Sequence, residues 1–180
     1  MKRHSHFDRL LDERRKNFEN PENFIPKLLR GDEIVVDMGC GPGYYCPELE
    51  KYSSKLYCVD FNKEALDIAK TRIKKPNTEL LYEESSRTSI PPSSVDVVVL
   101  ANSFHDMDRE AAYSEILRIL KPSGKVIIVD WKKEETPFGP PMSIRMSEKD
   151  YINLFKDFEL KQTFDPGPYH YGLVLIRKSN

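Results

Sequence analysis

Residues 35–46 read VVDMGCGPGYYC. The apolar run EIVVDM (33–38) carries Asp37 near its end and gives way to glycines at alternate positions, Gly39, Gly41 and Gly43. Glycine permits positive φ and lets another group approach the backbone, so the stretch predicts a buried strand that turns directly into a ligand-binding loop. Outward from it, short apolar runs alternate with longer amphipathic ones. KLYCVD (55–60), TELLYE (78–83), SVDVVVLAN (94–102) and GKVIIVDW (124–131) read as strands. EALDIAKTRIKK (64–75), REAAYSEILRIL (109–120) and EKDYINLFKDF (148–158) read as helices, the second stopped by the Lys121-Pro122-Ser123-Gly124 turn. FELKQTF (158–164) and YGLVLIRK (171–178) read as a closing strand pair, and residues 7–18 and 22–30 as N-terminal helices. Continuous apolar strands alternating with helices imply an α/β fold with a parallel sheet covered on both faces. Such a sheet binds its ligand beyond the carboxyl ends of the strands, where the glycines lie.

Composition narrows the function. The chain has 180 residues, 39% hydrophobic and 32% charged, with a formal net charge of −1. One domain with a sizeable core is expected. A dedicated nucleic-acid binder would carry a basic surplus, so no nucleic-acid partner is expected. No apolar run approaches the roughly 20 residues of a membrane span, and MKRHSHFDRLLDERRKNF has no apolar signal core. A cytoplasmic protein without a membrane partner is the expectation. Cys40, Cys46 and Cys58 form no CxxC pair, so buried free thiols are expected in preference to a disulfide framework or a metal site.

The loop chemistry is more selective. A dinucleotide fingerprint G-x-G-x-x-G counted from Gly39 and Gly41 needs glycine where Tyr44 stands. That argues against a nicotinamide-dependent oxidoreductase. A carboxylate at Asp37 suits a cationic ligand better than a pyrophosphate. The second strand ends in Asp60, where an acid can accept hydrogen bonds from both hydroxyls of a ribose. Together they ask for a ribose joined to a cationic, amino-acid-like group.

On these residues the chain resembles the class I S-adenosylmethionine-dependent methyltransferases. The matching blocks are VVDMGCGPGYY (35–45), LYCVDFN (56–62), SVDVVVLANSFHDM (94–107) and EILRILKPSGKVIIVDW (115–131). The resemblance implies a three-layer Rossmann-like sandwich, with a seven-stranded, mostly parallel sheet, a C-terminal antiparallel strand and helices on both faces. It implies a single domain: an N-terminal helical lid over 1–31, a cofactor-binding core over 33–131 and a substrate-side part over 132–180.

S-adenosylmethionine is the implied cofactor. Gly39, Cys40, Gly41 and Gly43 would pass its methionyl part, with Asp37 helping to hold the amino group. Asp60, followed by Phe61, would bind the ribose. Glu84 and Ser85 would meet the adenine, and Ala101 and Asn102 would line the reacting methyl. His105 and Asp106 would lie on the substrate side. His170, in a loop near the substrate entrance, is a further candidate base, since histidine titrates near neutrality.

Bland readings stand beside these: a helix cap for Asp60, a solvated loop acid for Glu84, packing for His105 and Trp131, a surface position for His170, a solvated side chain for Arg145. The implied reaction is in-line methyl transfer to an O, N or S nucleophile, with a small-molecule substrate and a monomer or homodimer expected. A non-catalytic S-adenosylmethionine-binding subunit acting with a partner protein is the alternative.

Overall fold

The computed structural model describes residues 6–179. Seven strands form one sheet: β1 (Ile34–Met38), β2 (Lys55–Asp60), β3 (Thr78–Tyr82), β4 (Val95–Ala101), β5 (Leu120–Trp131), β6 (Phe158–Phe164) and β7 (His170–Arg177). Their order is β3-β2-β1-β4-β5-β7-β6. The neighbours among β1 to β5 pair in parallel, whereas β7 runs antiparallel to both β5 and β6. The order reverses between β1 and β4, and a doubly wound sheet opens its ligand crevice at such a point.

The inner strands β1, β4 and β7 and the second half of β5 are largely apolar because both faces of the sheet are covered there. Val36, Met38, Val98, Leu100, Val126 and Ile128 share one core cluster with Ala112, Ile116, Ile119, Tyr151 and Phe155. The last five come from α5 (Arg109–Ile119), α6 (Glu148–Leu154) and the residue after it. The alternate residues Val35, Val97, Val99, Ile127 and Val129 pack on the other face. There they meet Ile25 and Leu28 of α2 (Ile25–Leu28), Cys46 and Leu49 of α3 (Cys46–Lys51) and Leu66 of α4 (Lys63–Arg72). Among the described residues no helix is long and apolar enough to cross a membrane.

Several element boundaries differ from expectation, each through a specific partner. The N-terminal stretch is not one helix. α1 (His6–Leu10) stops, and Asp12 caps a separate 3-10 turn, Glu13–Asn17, by accepting from the Arg14 N–H at 2.9 Å. The 22–30 region is a 3-10 turn, Pro21–Asn23, followed by the single turn of α2. α4 ends at Arg72 because the buried Glu50 carboxylate, from α3, accepts the N–H groups of Lys74 and Lys75 at 2.9 and 3.3 Å and the Thr78 hydroxyl at 2.9 Å. β5 begins at Leu120, and the Lys121–Gly124 segment bulges out between the Val95↔Leu120 and Val97↔Lys125 pairs. Pro122 has no N–H to give the ladder, which suits it to such a bulge. α6 stops at Leu154, and Phe158 starts β6.

Glu50 satisfies three donors from a side chain with almost no solvent. Glu50→Ala is therefore expected to destabilise the fold by about 1–3 kcal/mol, read as a lower denaturant midpoint. An unchanged midpoint would remove Glu50 as the clamp between α3 and β3.

Candidate functional site

The glycine loop follows β1 and lies against the end of β2 and the residue Ser103 that follows β4. Gly39 and Cys40 donate their N–H groups to Val59 O at 2.8 and 3.0 Å, tying the loop to β2. The three glycines answer three different demands. A Cβ on Gly39 would stand 2.7 Å from Ser103 Cβ, and one on Gly43 would stand 3.0 Å from Ala69 Cβ in α4, so both permit close packing. Gly41 has φ +54°, and a Cβ there would meet nothing within 4 Å. It faces open space.

Asp60 borders that space and is itself buried. Its Oδ2 accepts the Gly41 N–H and its Oδ1 the Asn62 N–H, both at 2.8 Å. Asn62, not Asp60, caps α4, accepting from the Ala65 N–H at 3.1 Å. Each Asp60 oxygen accepts one N–H and keeps further acceptor capacity. Phe61 and Tyr82, the latter paired with Asp60 across β2 and β3, stand 65% and 63% exposed beside it. Glu84 is exposed in a tight turn with Arg87, and Ser85 next to it is buried.

Asp37 sits differently from expectation. Its carboxylate is buried, with the Cys46 thiol at 3.8 Å its one hydrogen-bond partner among the described residues. Burial pushes its pKa well above the usual carboxylate range. Cys40, Cys46 and Cys58 are free and buried, as expected, but they also converge: all three sulfurs lie within 4.8 Å of one another.

At the end of β4, Ala101 packs partly buried against the second core cluster, and Asn102 adopts φ 55°. Left-handed conformations in non-glycine residues gather at functional sites. Asn102 Nδ2 donates to Glu19 Oε1 at 2.7 Å, while its buried Oδ1 has no hydrogen-bond partner among the described residues. Glu19 is the hub of the N-terminal segment. It accepts from Arg15 Nε at 2.9 Å and the Tyr45 hydroxyl at 2.5 Å, and its carbonyl accepts from the Tyr44 hydroxyl at 2.6 Å. Arg15 lies 3.8 Å over the Tyr44 ring. Burial opposes ionisation of Glu19, but the charge and hydrogen bond of Arg15, with His170 and the Tyr45 hydroxyl, together hold the carboxyl below its usual value. Tyr44, which breaks the dinucleotide pattern, thus fastens the N-terminal segment to the loop.

His105 occupies the 3-10 turn Phe104–Asp106 after β4 and is buried. Its Nδ1 lies 3.1 Å from Asp130 Oδ1, near the end of β5, and its Nε2 lies 3.4 Å from Asp106 Oδ2. Asp130 also accepts from the Tyr151 hydroxyl and the Trp131 N–H. Burial works against the imidazolium, yet the hydrogen bond and charge of Asp130 prevail and raise the His105 pKa. With Nδ1–H donated to Asp130, the neutral ring presents Nε2 as an acceptor. His105, Asp106, Asn102, Trp131, Phe138 and Phe18 share the lining of a cavity of about 500 Å³.

His170 is not on an exposed loop. It is the first residue of β7, fully buried, with its ring 4.2 Å from Trp131 and its Nε2 3.5 Å from Glu19 Oε2. Burial lowers its pKa. Arg145 is buried rather than solvated. It donates to the carbonyls of Pro140, Lys132 and Glu134 and to the Thr136 hydroxyl, stapling the connection after β5.

Three site-side groups escaped the sequence reading: Glu19, Arg15 and Asp130. Arg15 lies in a run of charges, and Glu19 falls between the two N-terminal segments that read as helices. Asp130 carried a usable signal, because it closes an apolar strand as Asp37 and Asp60 do.

The comparisons with known proteins agree with this geometry. The family described as methyltransferase domain matches residues 36–128. A methyltransferase-like protein of Schizosaccharomyces pombe is 31% identical over 110 residues, covering 61% of this chain and 42% of the relative. A demethylmenaquinone methyltransferase of Lactobacillus johnsonii is 27% identical over 146 residues, covering 76% and 58%. The chain spans about half the length of the curated relatives it matches. Among solved structures, one from Sulfolobus solfataricus described as a type 11 methyltransferase is 47% identical, with TM-score 0.82 and coverage of 91% and 95%. A SAM-dependent methyltransferase from Aquifex aeolicus is 26% identical, with TM-score 0.86 over 99% of this chain and 100% of that one. The chain belongs to the methyltransferase domain family, with the Rossmann-like class I fold of an S-adenosylmethionine-dependent enzyme.

Proposed function

We propose that this chain transfers a methyl group from S-adenosylmethionine to an O–H or N–H nucleophile of a small, flat acceptor held in the cavity beside His105. One observation carries the reading: the open space at Gly41 is bordered by the Asp60 carboxylate, while the cavity over the ends of β4 and β5 is lined by a histidine held by a buried aspartate.

The residues present fit the cofactor. A backbone without a side chain at Gly41 leaves volume for a ligand. The spare acceptor capacity of Asp60 suits two hydroxyls, and the exposed faces of Phe61 and Tyr82 suit a base. Glu84 and Ser85 lie on the segment beyond them, where an adenine amino group and ring nitrogen would find an acceptor and a donor. Gly39, Cys40 and Gly43 shape the loop, and Ala101 and Asn102 close the methyl end. Asp37 is the buried acid near the end of β1, against the Cys46 thiol.

When bound, the sulfonium supplies the activated methyl, so the chain's part is position and proton management. His105 Nε2 takes the proton that the acceptor loses, and Asp130 holds the ring in the tautomer that can take it. Asp106, beside Nε2, stabilises the imidazolium that forms. The rings of Phe18, Trp131 and Phe138 give the cavity flat apolar walls, which favour a planar acceptor over a polymer. His170 is given no proton-transfer role, because its ring lies buried between Trp131 and Glu19.

The cofactor assignment is tested by Asp60→Ala. Losing hydrogen bonds to a charged acceptor costs about 2 kcal/mol, so S-adenosylhomocysteine affinity should fall roughly 30-fold in calorimetric titration. A folded variant with unchanged affinity would sink the ribose assignment.

A further inference from the structure

The three thiols beneath the glycine loop have no part in the reaction above, and their arrangement calls for an explanation. Cys40 comes from the loop, Cys46 from the first position of α3, and Cys58 from β2. Three separate elements thus deliver three buried sulfurs within 4.8 Å of one another, with the Cys46 and Cys58 sulfurs 3.0 Å apart. A carboxylate stands at the edge of this group: Asp37 Oδ2, from β1, lies 3.8 Å from the Cys46 sulfur. No lysine or arginine hydrogen-bonds this buried carboxylate among the described residues. A buried carboxylate is costly unless it is paired, protonated or bound to a metal.

We propose that Cys40, Cys46 and Cys58 form a metal site for a thiophilic divalent ion of the zinc class, lying under the glycine loop, with Asp37, beside Cys46, turning in to fill the fourth position. Three sulfurs and one carboxylate oxygen are a donor set that such an ion takes with four-coordinate geometry. At Zn–S distances of about 2.3 Å, tetrahedral ligation needs sulfurs roughly 3.8 Å apart, which a small adjustment reaches from a cluster lying within 4.8 Å and holding one pair at 3.0 Å. Each thiol releases its proton to solvent when it coordinates, so one ion displaces three thiol protons, and the carboxyl's as well where it is protonated. The ion would pin β1, β2, α3 and the loop together. Cys40 lies between Gly39 and Gly41, so bound metal would stiffen the segment that faces the proposed cofactor space. The site itself does not depend on the proposed methyl transfer.

The test uses the full chain, reduced and stripped with a chelator, and titrated with Co²⁺ alone. The expected result is one equivalent bound, with an intense thiolate-to-cobalt charge-transfer band, bleached by one equivalent of Zn²⁺. Release of three or four protons per ion should appear in weakly buffered solution. Cys46→Ser and Cys58→Ala should each abolish the band, with the fold checked by circular dichroism. Because either variant could fail to fold, the denaturant midpoint of the unaltered chain is read as well, and Zn²⁺, by binding the folded state, should raise it. Absence of a charge-transfer band in the unaltered chain, a band that survives in folded Cys46→Ser, or a midpoint that Zn²⁺ does not raise would overturn the site and leave the cysteines as packing.

Discussion

Gly41→Val should abolish binding of S-adenosylmethionine and S-adenosylhomocysteine. The φ of +54° at this position already disfavours a β-branched residue, and the added side chain would project into the space that the proposed ligand needs. The variant must be compared with Gly31→Ala, another glycine of positive φ whose Cβ meets nothing within 4 Å. Both carry backbone strain, but only Gly41 lies in the loop. A Gly41→Val protein that remains folded yet binds with unchanged affinity would show that the open space is not the cofactor's. Loss of binding by both variants alike would point to strain alone.

His105→Ala should leave S-adenosylhomocysteine affinity unchanged and lower kcat by about 10²–10⁴-fold, the usual contribution of a positioned general base. The pH dependence gives the sign. His105 works as a base only when neutral, and Asp130 raises its pKa above the ordinary 6.5, so kcat should fall as pH drops through a value above 6.5. Asp130→Asn removes the charge that favours the imidazolium, so this acid limb should move to lower pH. The same shift should appear, without any acceptor, in the titration of the His105 ring resonances by NMR. By linkage, the pair stabilises the fold fully below pH 6.5 and loses that contribution as pH rises through the folded pKa. An acid limb indifferent to Asp130→Asn would remove the aspartate from the mechanism. Retained kcat in His105→Ala would confine His105 to packing.

The parts of this molecule legible in its sequence are those decided locally. Strands β1, β2 and β4 announce themselves as apolar runs because both faces of the sheet are covered, and β6 was read to the residue. The glycine spacing and the strand-ending Asp60 located the loop and the acid that borders it. Distant partners decided the rest. α4 ends where Glu50 of another helix captures its following N–H groups, and nothing near residue 72 signals this. Nothing in the N-terminal run of charges signals that Arg15 and Glu19 are drawn inward by pairing with each other and with Tyr45 and Asn102. His170 looked like a loop residue because Pro-Gly-Pro precedes it, but its register opposite Trp131 draws it into β7. The three cysteines, with no ligand-like spacing, meet only because β1, β2 and α3 pack around one loop.

The most direct test is calorimetric titration of the purified chain with S-adenosylmethionine, S-adenosylhomocysteine and NADH. Micromolar binding of both sulfur ligands at one site per chain, with none of NADH, is the predicted result. Failure of both sulfur ligands to bind a folded chain would contradict the account.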